Sequence, residues 1–340
     1  MGLPACIFLA TGACTQDGKE WDNLSRASDC EQTVIVIGGT GFIGGHIVTE
    51  FARSDRQVII VSRHPPESQA KTRHGALDLC STDIPRITQF LLAHRPGLIV
   101  NASGAVWRTS EERMWAVNSK MVNNIISAII TLPWRPRLIH LGSVYEYAPV
   151  PAGTRIDAKT PERPVSAYGR SKLAGTSAVL RATKAGLIDG SVVRLSNVTG
   201  AGSPPASLLG SVAERLTKLR GRGPAVMRFG ELTGHRDFLD ARDVAAAVKL
   251  AAGRSALGQM INLGRGEAVH VRRAVEMMVS VSGLPVSIEE AGENQASGNR
   301  DAGTDWIEVE TLPAWQLLGW RPKVTLLESL RGLWKEVSAA

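Results

Sequence analysis

The sequence lacks any run of about 18 or more consecutive apolar residues, although 44% of its residues are hydrophobic. A membrane-spanning helix is therefore not predicted. The sequence also lacks a basic cluster, because its 39 Lys and Arg residues are scattered along the chain and are not interleaved with aromatic residues. Nucleic-acid and membrane partners are not predicted, and the net charge of +7 fits small molecules that carry phosphate.

Cysteine is also scarce. The four cysteines form no CxxC pair and no spacing typical of metal ligands, so the sequence predicts neither a disulfide framework nor a metal site. Free thiols indicate a reducing compartment, and we therefore expect a cytoplasmic protein. These cysteines are Cys6, Cys14, Cys30 and Cys80.

Residues 1–31 differ in composition from the rest of the chain. An apolar segment at 4–14 is followed by a polar one, but no positively charged residues precede the apolar segment as they do in a signal peptide. The composition favours a disordered N-terminal extension over a signal peptide.

The clearest pattern in the chain is VIVIGGTGFIGGH at residues 34–46. Its four β-branched apolar residues predict a strand buried on both faces. Gly38 permits a tight turn, Gly41 lets the backbone approach a pyrophosphate, and Gly44 lets the next helix pack closely on the strand. Because a strand precedes the glycines and a helix comes after them, the segment is predicted to bind a dinucleotide at the helix N-terminus.

Strand and helix patterns alternate through the first 195 residues. Further strands are predicted at residues 58–61, 76–79, 98–101, 138–142 and 191–195. Helices are predicted near 42–53, 83–94, 111–131 and 168–185. This alternation implies parallel pairing with right-handed crossovers, hence an α/β fold with a Rossmann-type doubly wound parallel sheet.

The alternation ends after residue 195. Residues 237–240 and 260–263 could return to the main sheet, with a helix at 241–252 between them; other helices are predicted up to about 220 and near 269–282 and 325–338. We therefore expect two domains. A Rossmann domain would comprise 32–195 and 236–263, and a smaller α/β substrate lobe would comprise 196–235 and 264–340, covering the carboxyl ends of the strands. Residues 290–308 could be a substrate lid or a disordered segment.

The end of the second predicted strand lacks the acidic residue that would accept hydrogen bonds from the ribose hydroxyls of NAD. Ser62 and Arg63 occupy this place instead. A guanidinium can bind a phosphate through two parallel hydrogen bonds, and a hydroxyl can donate to it. The residues thus favour NADP(H), with NAD as the alternative. Asp78 could hydrogen-bond the adenine edge.

Tyr168 and Lys172 are four residues apart at the start of a predicted helix, so they share one face. Lowering the pKa of a tyrosine from about 10 to about 7 requires roughly 4 kcal/mol. One positive charge about 4 Å away supplies about this much at an effective dielectric constant near 20. Ser143, which ends the fifth predicted strand, could hold a substrate oxygen while Tyr168 transfers the proton.

These segments together resemble the extended short-chain dehydrogenase/reductases, the NAD(P)-dependent epimerase/dehydratase family that acts on nucleotide sugars. The resemblance runs from about residue 34 to about residue 334. Besides the glycine turn, it is carried by the segments HLGSVYEYA, AYGRSK, RLSNVTGAG, RDFLDARDVA, NLGRGEAVHV and LGWRPKV.

The resemblance implies a role for each matching position. Ser143, Tyr168 and Lys172 match the catalytic residues, and Asn197 and Arg236 match residues that bind the sugar diphosphate; Val144 and Tyr145 would also contact the substrate. The remaining residues are expected to bind the cofactor, with Asn118 matching a structural asparagine: Gly38, Gly41, Phe42, Ile43, Gly44, Ser62, Arg63, Asp78, Leu79, Asn101, Ala102, Gly104, Asn118, Tyr168 and Lys172.

The two residues after Ser143 argue against a dehydratase reaction. Sugar 4,6-dehydratases of this family have acidic residues there, whereas this chain has Val144 and Tyr145. The expected function is NADPH-dependent reduction of a dTDP- or GDP-linked 4-keto-6-deoxysugar. The alternatives are a 4-epimerase with tightly bound NAD, a flavonoid- or steroid-type ketoreductase, and a non-catalytic NADP-binding protein. The resemblance also implies a homodimer formed through the helices at 111–131 and 168–185.

Overall fold

The computed structural model describes residues 32–63, 73–290 and 304–339. Seven parallel strands form its central sheet, and the carboxyl ends of all seven point to one edge. The predicted extension at 1–31 lies outside the described residues, as does most of the segment 290–308. Across the sheet, the strands are β3 (Arg73–Ala76), β2 (Gln57–Ser62), β1 (Thr33–Ile37), β4 (Leu98–Asn101), β5 (Arg137–Ser143), β6 (Asp189–Leu195) and β10 (Met260–Leu263).

Helices cover both faces of this sheet, which confirms the predicted doubly wound α/β fold. Side chains alternate along β1, so that Val34 and Val36 pack on one face while Ile35 and Ile37 pack on the other. The first face is covered by α1 (Phe42–Ala52) and α7 (Ala241–Ala251). The second face is covered by α2 (Ile84–His94), α4 (Met121–Ile130) and α5 (Ala167–Lys184); α3 (Glu111–Trp115) and a π-helical turn (Ala116–Lys120) lead into α4.

The third strand was predicted three residues too late. β3 spans Arg73–Ala76 and pairs with β2, beginning opposite Ile59, whereas the prediction was 76–79. Leu77 and Leu79, whose apolar character suggested the strand, are buried in the turn after it. The two leucines are thus buried without belonging to a strand, which is why their apolar character misplaced the prediction.

A second lobe has its own hydrophobic core. Three helices, α6 (Leu208–Thr217), α8 (Val271–Ser282) and α10 (Leu326–Ala339), pack together beside the parallel pair β8 (Ala225–Phe229) and β12 (Val286–Glu290). A short helix that the sequence did not predict, α9 (Leu312–Leu318), packs on the core of the main sheet.

The sequence pattern allowed residues 237–240 a place in the main sheet, but they do not join it. They belong to β9 (His235–Asp240), the central strand of a separate three-stranded sheet with β7 (Asn197–Thr199) and β11 (Ala268–His270). Residues 260–263 form β10 and do join the main sheet beside β6. β10 is therefore an edge strand of the main sheet, next to β6.

The buried carboxylate of Asp237 ties the small sheet to its neighbours. It accepts hydrogen bonds from the Ser196 hydroxyl at 3.2 Å and from the backbone N–H groups of Arg265 at 2.6 Å, Gly266 at 2.9 Å and Val309 at 3.1 Å. Burial raises the pKa of this carboxyl, although the hydrogen bonds oppose the change. Through these hydrogen bonds, Asp237 holds several chain segments together where the two lobes meet.

The apolar face of α4 packs against its own sheet. Met121, Val122, Ile125 and Ile129 are all buried in the second face of the core. This packing accounts for the apolar pattern within a single chain, and the homodimer stays a prediction. Within the described ranges, no helix combines the length and apolar character needed to cross a membrane.

We expect Gly44→Ala to lower the free energy of unfolding by about 1–3 kcal/mol, since a Cβ there would lie 2.1 Å from the Gly38 carbonyl oxygen. Gly45→Ala is the matched control on the same helix, because its Cβ would meet nothing closer than 3.9 Å. Alanine is the better helix former by about 1 kcal/mol, so this variant should be as stable as the wild type or more stable. Urea unfolding of both variants measures the difference, and equal losses would contradict the close-packing argument.

Candidate active site

One large cleft lies at the carboxyl ends of the central strands, between the sheet and the second lobe. Its volume is about 1720 Å³, well above the roughly 300–1,000 Å³ of a typical small-molecule site. The cleft can therefore hold more than one ligand. Most of the predicted site residues line it: Gly38, Gly41, Phe42, Ile43, Gly44, Ser62, Arg63, Asp78, Leu79, Ala102, Gly104, Ser143, Tyr145, Tyr168, Lys172, Asn197 and Arg236.

The glycine turn forms one wall of this cleft. Gly38 has a φ of +76°, a conformation that favours glycine, and a Cβ there would lie 2.9 Å from the Ser103 backbone nitrogen. The Gly41 N–H donates to the Gly38 carbonyl at 3.0 Å, and α1 begins at the next residue. The turn thus leaves backbone at the N-terminus of α1 exposed to the cleft, which fits a pyrophosphate.

Ser62 and Arg63 line the cleft where β2 ends. The Ser62 Oγ lies 2.8 Å from the Nε2 atom of His74 on β3, a residue that the sequence analysis did not identify. Asp78 accepts from the backbone N–H of Cys80 at 3.1 Å and also lines this end of the cleft. Burial raises the pKa of the Cys80 thiol, so it stays protonated.

Lys172 is buried at the opposite side of the glycine turn and is only 3% exposed. Its ammonium donates to the backbone carbonyl of Leu141 on β5. Burial lowers the pKa of Lys172 from 10.5 to about 8, while the charge of Glu146 opposes this change. Burial and the Lys172 charge hold the pKa of His140 well below its usual range, so this neighbour is neutral.

Tyr168 is at the start of α5, one helical turn before Lys172. The helix begins there because Ser166 caps it, accepting from the Gly169 N–H at 3.1 Å. A Cβ at Gly169 would lie 2.1 Å from the Tyr145 carbonyl oxygen, so the helix start packs directly on the segment after β5. This contact brings Tyr168 into the same cleft as Ser143.

All three tyrosines of the chain lie around this site. The rings of Tyr145 and Tyr168 meet edge to face, with centroids 6.2 Å apart. The side-chain amide of Asn197 donates to the Tyr145 hydroxyl at 3.2 Å. Asn197 was predicted to bind a diphosphate, and the structure gives it a tyrosine partner in the cleft. Tyr147 is buried beneath the site and donates to Asn262 at 3.0 Å.

The ion pair between Glu146 and Arg194 is buried beside Ser143 and was not predicted from the sequence. Glu146 is fully buried and accepts from the Ser143 backbone N–H at 2.7 Å and from the Thr176 hydroxyl at 3.0 Å. Its second oxygen accepts from the Nε of Arg194 at 2.6 Å, and Arg194 also donates to Glu162 at 2.7 Å. The Ser-x-x-Glu spacing of a capping box was a usable sequence signal for the contact between Glu146 and Ser143, but not for the ion pair with Arg194.

Three predicted site residues lie behind the cleft wall and not on its surface. Asn118 donates to the Ala105 carbonyl at 2.9 Å and accepts from the Ala105 N–H at 2.9 Å, so it holds the loop after β4. Asn101 accepts from the Ser103 backbone N–H at 3.2 Å in the same loop. Val144 is buried in a small apolar cluster with Tyr147. We infer that these residues shape the cleft from behind.

Basic side chains predominate among the charged residues of the cleft. Arg236, which was predicted, donates to the His235 carbonyl at 3.0 Å and has no carboxylate partner among the described residues. Arg215 lies over the Phe229 ring at 4.5 Å, and burial lowers the pKa of its guanidinium. The lining residues Arg108, Arg113 and Arg215 were missed, since scattered arginines carry no sequence pattern.

Comparison with known proteins shows that this chain is similar to nucleotide-sugar enzymes. A sequence model of the NAD dependent epimerase/dehydratase family matches residues 34–264. The chain is 38% identical over 308 residues to the dTDP-6-deoxy-L-talose 4-dehydrogenase (NAD(P)(+)) of Kitasatospora kifunensis, with 90% of this chain and 96% of that one covered.

Solved structures share the fold. The structure of RMD from Pseudomonas aeruginosa complexed with NADPH is 20% identical with a TM-score of 0.76, and the alignment covers 91% of this chain and 98% of that one. The UDP-glucose 4-epimerase of Thermus thermophilus, in complex with NAD, is 23% identical with a TM-score of 0.78, covering 91% and 99%. At these identities, the likeness shows the fold alone.

Breaking the buried ion pair from one side should destabilise the protein strongly. Glu146→Gln leaves the buried Arg194 charge with the partly exposed Glu162 as its carboxylate partner, so we expect the free energy of unfolding to fall by about 3 kcal/mol, the lower end of the range for a broken buried pair. The double variant Glu146→Gln/Arg194→Met removes both charges and should regain at least half of this loss. Arg155→Ala is the control, since Arg155 forms a 2.8 Å ion pair with Glu308 on the surface and should change stability by about 1 kcal/mol or less. A double variant less stable than the single one would contradict this account.

The pKa of Lys172 also predicts a pH dependence of stability. Because the folded protein releases this proton near pH 8 while the unfolded chain keeps it to about pH 10.5, stability should rise with pH between these values. Relative to Lys172→Met, the gain should approach about 3 kcal/mol at its upper limit. Urea unfolding of both proteins, compared at several pH values from neutral upward, measures it. A stability difference that stays constant with pH would contradict the lowered pKa.

Proposed function

The chain belongs to the NAD dependent epimerase/dehydratase family, and on this premise we propose that it reduces, with NADPH, the 4-keto group of a dTDP- or GDP-linked 4-keto-6-deoxysugar. The observation that carries the proposal is one cleft lined by Ser143, Tyr168, Lys172 and the glycine turn. The 38% identical relative supports a dTDP-linked sugar, because its name describes oxidation at position 4 of such a sugar, the reverse of this reaction.

The residues of the cleft fit a dinucleotide. The close approach of Gly38 to Ser103 leaves no room for a Cβ, and the N-terminus of α1 faces the space beside it. The turn would hold the pyrophosphate, Ser62 and Arg63 the 2′-phosphate, and Tyr168 and Lys172 the ribose next to the nicotinamide. When bound, the reduced nicotinamide supplies a hydride to the carbonyl carbon.

Residues of the chain would supply the proton that the reduction requires. As the carbonyl carbon accepts the hydride, the carbonyl oxygen becomes an alkoxide and takes the proton of the Tyr168 hydroxyl. Ser143 donates a hydrogen bond to the same oxygen, and the Lys172 ammonium lowers the pKa of the tyrosine phenol. The resulting phenolate is then protonated from solvent. These roles require the protonated form of Lys172, which is the predominant form below its pKa of about 8.

The other end of the cleft suits an anionic substrate. Arg215 on α6 and Arg236 on β9 line it, and a guanidinium can bind a diphosphate through paired hydrogen bonds. Tyr145 and Asn197 line the same cleft and add polar groups that could contact a sugar. A flavonoid- or steroid-type ketone carries no phosphate for these arginines to bind, so this lining favours a nucleotide sugar.

The direct test is single-turnover oxidation of NADPH with a dTDP- or GDP-4-keto-6-deoxyhexose, monitored by the loss of nicotinamide absorbance. We expect oxidation with at least one donor and formation of the 4-hydroxy sugar. No oxidation with either donor would overturn the proposal. Tightly bound NAD in the purified protein, together with interconversion of 4-epimers without added coenzyme, would establish the epimerase instead.

Replacing the proton donor should slow the chemistry and spare coenzyme binding. We expect Tyr168→Phe to lower the single-turnover rate about 100-fold or more, since a positioned acid typically contributes 10²–10⁴-fold. The Kd of NADPH, measured by fluorescence titration, should change only a few-fold. Tyr147→Phe is the control, because Tyr147 does not line the cleft; it should retain the wild-type rate within a few-fold. Equal losses in both variants would remove Tyr168 from the mechanism.

Arg63 should decide the affinity for the extra phosphate of NADPH. Arg63→Ala is expected to weaken NADPH binding by about tenfold or more, since charge-assisted hydrogen bonds contribute about 1.5–3 kcal/mol, and to leave NADH binding nearly unchanged. Arg56 precedes the opposite end of β2, so Arg56→Ala should affect neither coenzyme. Fluorescence titration with both coenzymes distinguishes the outcomes. Parallel loss of NADPH and NADH binding would contradict a role of Arg63 at the 2′-phosphate.

A further inference from the structure

Arg113, on α3, lines the cleft but belongs to none of the motifs on which the proposed function rests. The contacts of the turn after β3 show where it lies. The Cys80 thiol donates to the Ala116 carbonyl at 3.7 Å. Arg113 is one helical turn before Ala116, because its own carbonyl accepts from the Ala116 N–H. The short helix α3 therefore lies beside the turn that contains Asp78 and Cys80.

The charges that act on the Cys80 thiol place Arg113 in the neighbourhood of Arg63. Burial raises the pKa of this thiol, and the charge of Asp78 raises it further. The charges of Arg113, Arg63 and Lys120 lower it, and that of Arg113 has the largest effect of the three. Arg113 and Arg63 both line the cleft. The end of β2 and the helix α3 thus bring two guanidinium groups to the same end of the cleft.

Neither guanidinium has a carboxylate partner within the described ranges. Glu111, on the same helix as Arg113, lies 3.9 Å from Arg170 and accepts from the Trp115 indole at 3.3 Å. Asp78 accepts from a backbone N–H of its own turn at 3.1 Å. Two like charges in one cleft repel each other unless an anion lies between them, and a guanidinium binds phosphate through paired hydrogen bonds. This end of the cleft therefore suits a phosphate that contacts both arginines.

We propose that Arg113 is a specificity-determining residue that binds the 2′-phosphate of NADPH together with Arg63. The inference rests on the proposed function, since it assumes that this coenzyme lies along the glycine turn. NADH has an uncharged hydroxyl in place of this phosphate, so the two arginines would distinguish the coenzymes. A guanidinium stacked on the adenine ring would act differently, because both coenzymes carry the same ring and would be stabilised equally.

The test is the Kd of Arg113→Ala for NADPH and for NADH, measured by fluorescence titration. We expect NADPH binding to weaken by about tenfold or more, the size of a lost charge-assisted hydrogen bond, and NADH binding to stay nearly unchanged. Arg113→Lys keeps the charge but not the paired hydrogen bonds, so its Kd for NADPH should lie between those of the wild type and Arg113→Ala. Adenosine 2′,5′-bisphosphate, titrated by calorimetry, should show the same loss as NADPH.

Lys120→Ala is the matched control, because Lys120 also acts on the Cys80 thiol but does not line the cleft. Its Kd values for both coenzymes should stay close to those of the wild type. In the double variant Arg63→Ala/Arg113→Ala, NADPH should bind no more tightly than NADH. Thermal unfolding checks that each variant is folded.

Three results would overturn the inference and leave the proposed function intact. They are an unchanged Kd of Arg113→Ala for NADPH, an equal loss of NADPH and NADH binding in this variant, and an equal loss of NADPH binding in Lys120→Ala. The proposed function fails by a different measurement, since it requires the wild type to oxidise NADPH in the presence of a nucleotide-linked keto sugar. The two Kd values are measured without any sugar.

Discussion

The ammonium of Lys172 is held in the protein interior, against the Leu141 carbonyl oxygen near the end of β5, and the arrangement of the cleft depends on this contact. A buried positive charge is poorly solvated, which is why burial lowers the pKa of Lys172. The same contact fixes α5 on β5. It thereby brings Tyr168, one turn earlier on the helix, into the same cleft as Ser143, which is two residues further along the strand from Leu141. Proton transfer in the proposed reaction depends on this packing of a helix on a strand.

A second buried charge, the carboxylate of Glu146, stabilises the same strand end. It binds the Ser143 backbone, and its charge opposes the loss of the Lys172 proton. Arg194 neutralises it, and the guanidinium in turn lies 4.5 Å from the Tyr147 ring centroid. Such an ion pair contributes little net stability, because desolvating both charges offsets their attraction. Its value here is geometric, since it fixes the position of Ser143 from below.

Arginines lie at both ends of the cleft, where each group would bind a different phosphate. Arg63, at the end of β2, lies where a dinucleotide would carry its extra phosphate, next to the Ser62–His74 pair. Arg215 on α6 and Arg236 on β9 line the other end, where a sugar diphosphate would lie. Both ends suit anions, and between them the turn presents Gly38 and Gly41, which have no side chain to fill the space. The fold thus places arginines that are scattered in the sequence at both ends of one cleft, where the proposed function needs them.

The sequence by itself determined the doubly wound sheet, the glycine turn and the group formed by Ser143, Tyr168 and Lys172. These features arise from local rules: apolar periodicity, glycine spacing and residues four apart on one helix face. The predicted bounds of the third strand were wrong. Residues 237–240 could have joined the main sheet as far as the sequence shows, because an apolar pattern does not determine which strand a segment pairs with. Only the tertiary structure decided the partners of Glu146 and His74. Those contacts join different elements of the fold, with Arg194 and Ser62 respectively, and pairing across such distances in the chain leaves no periodic trace in the sequence.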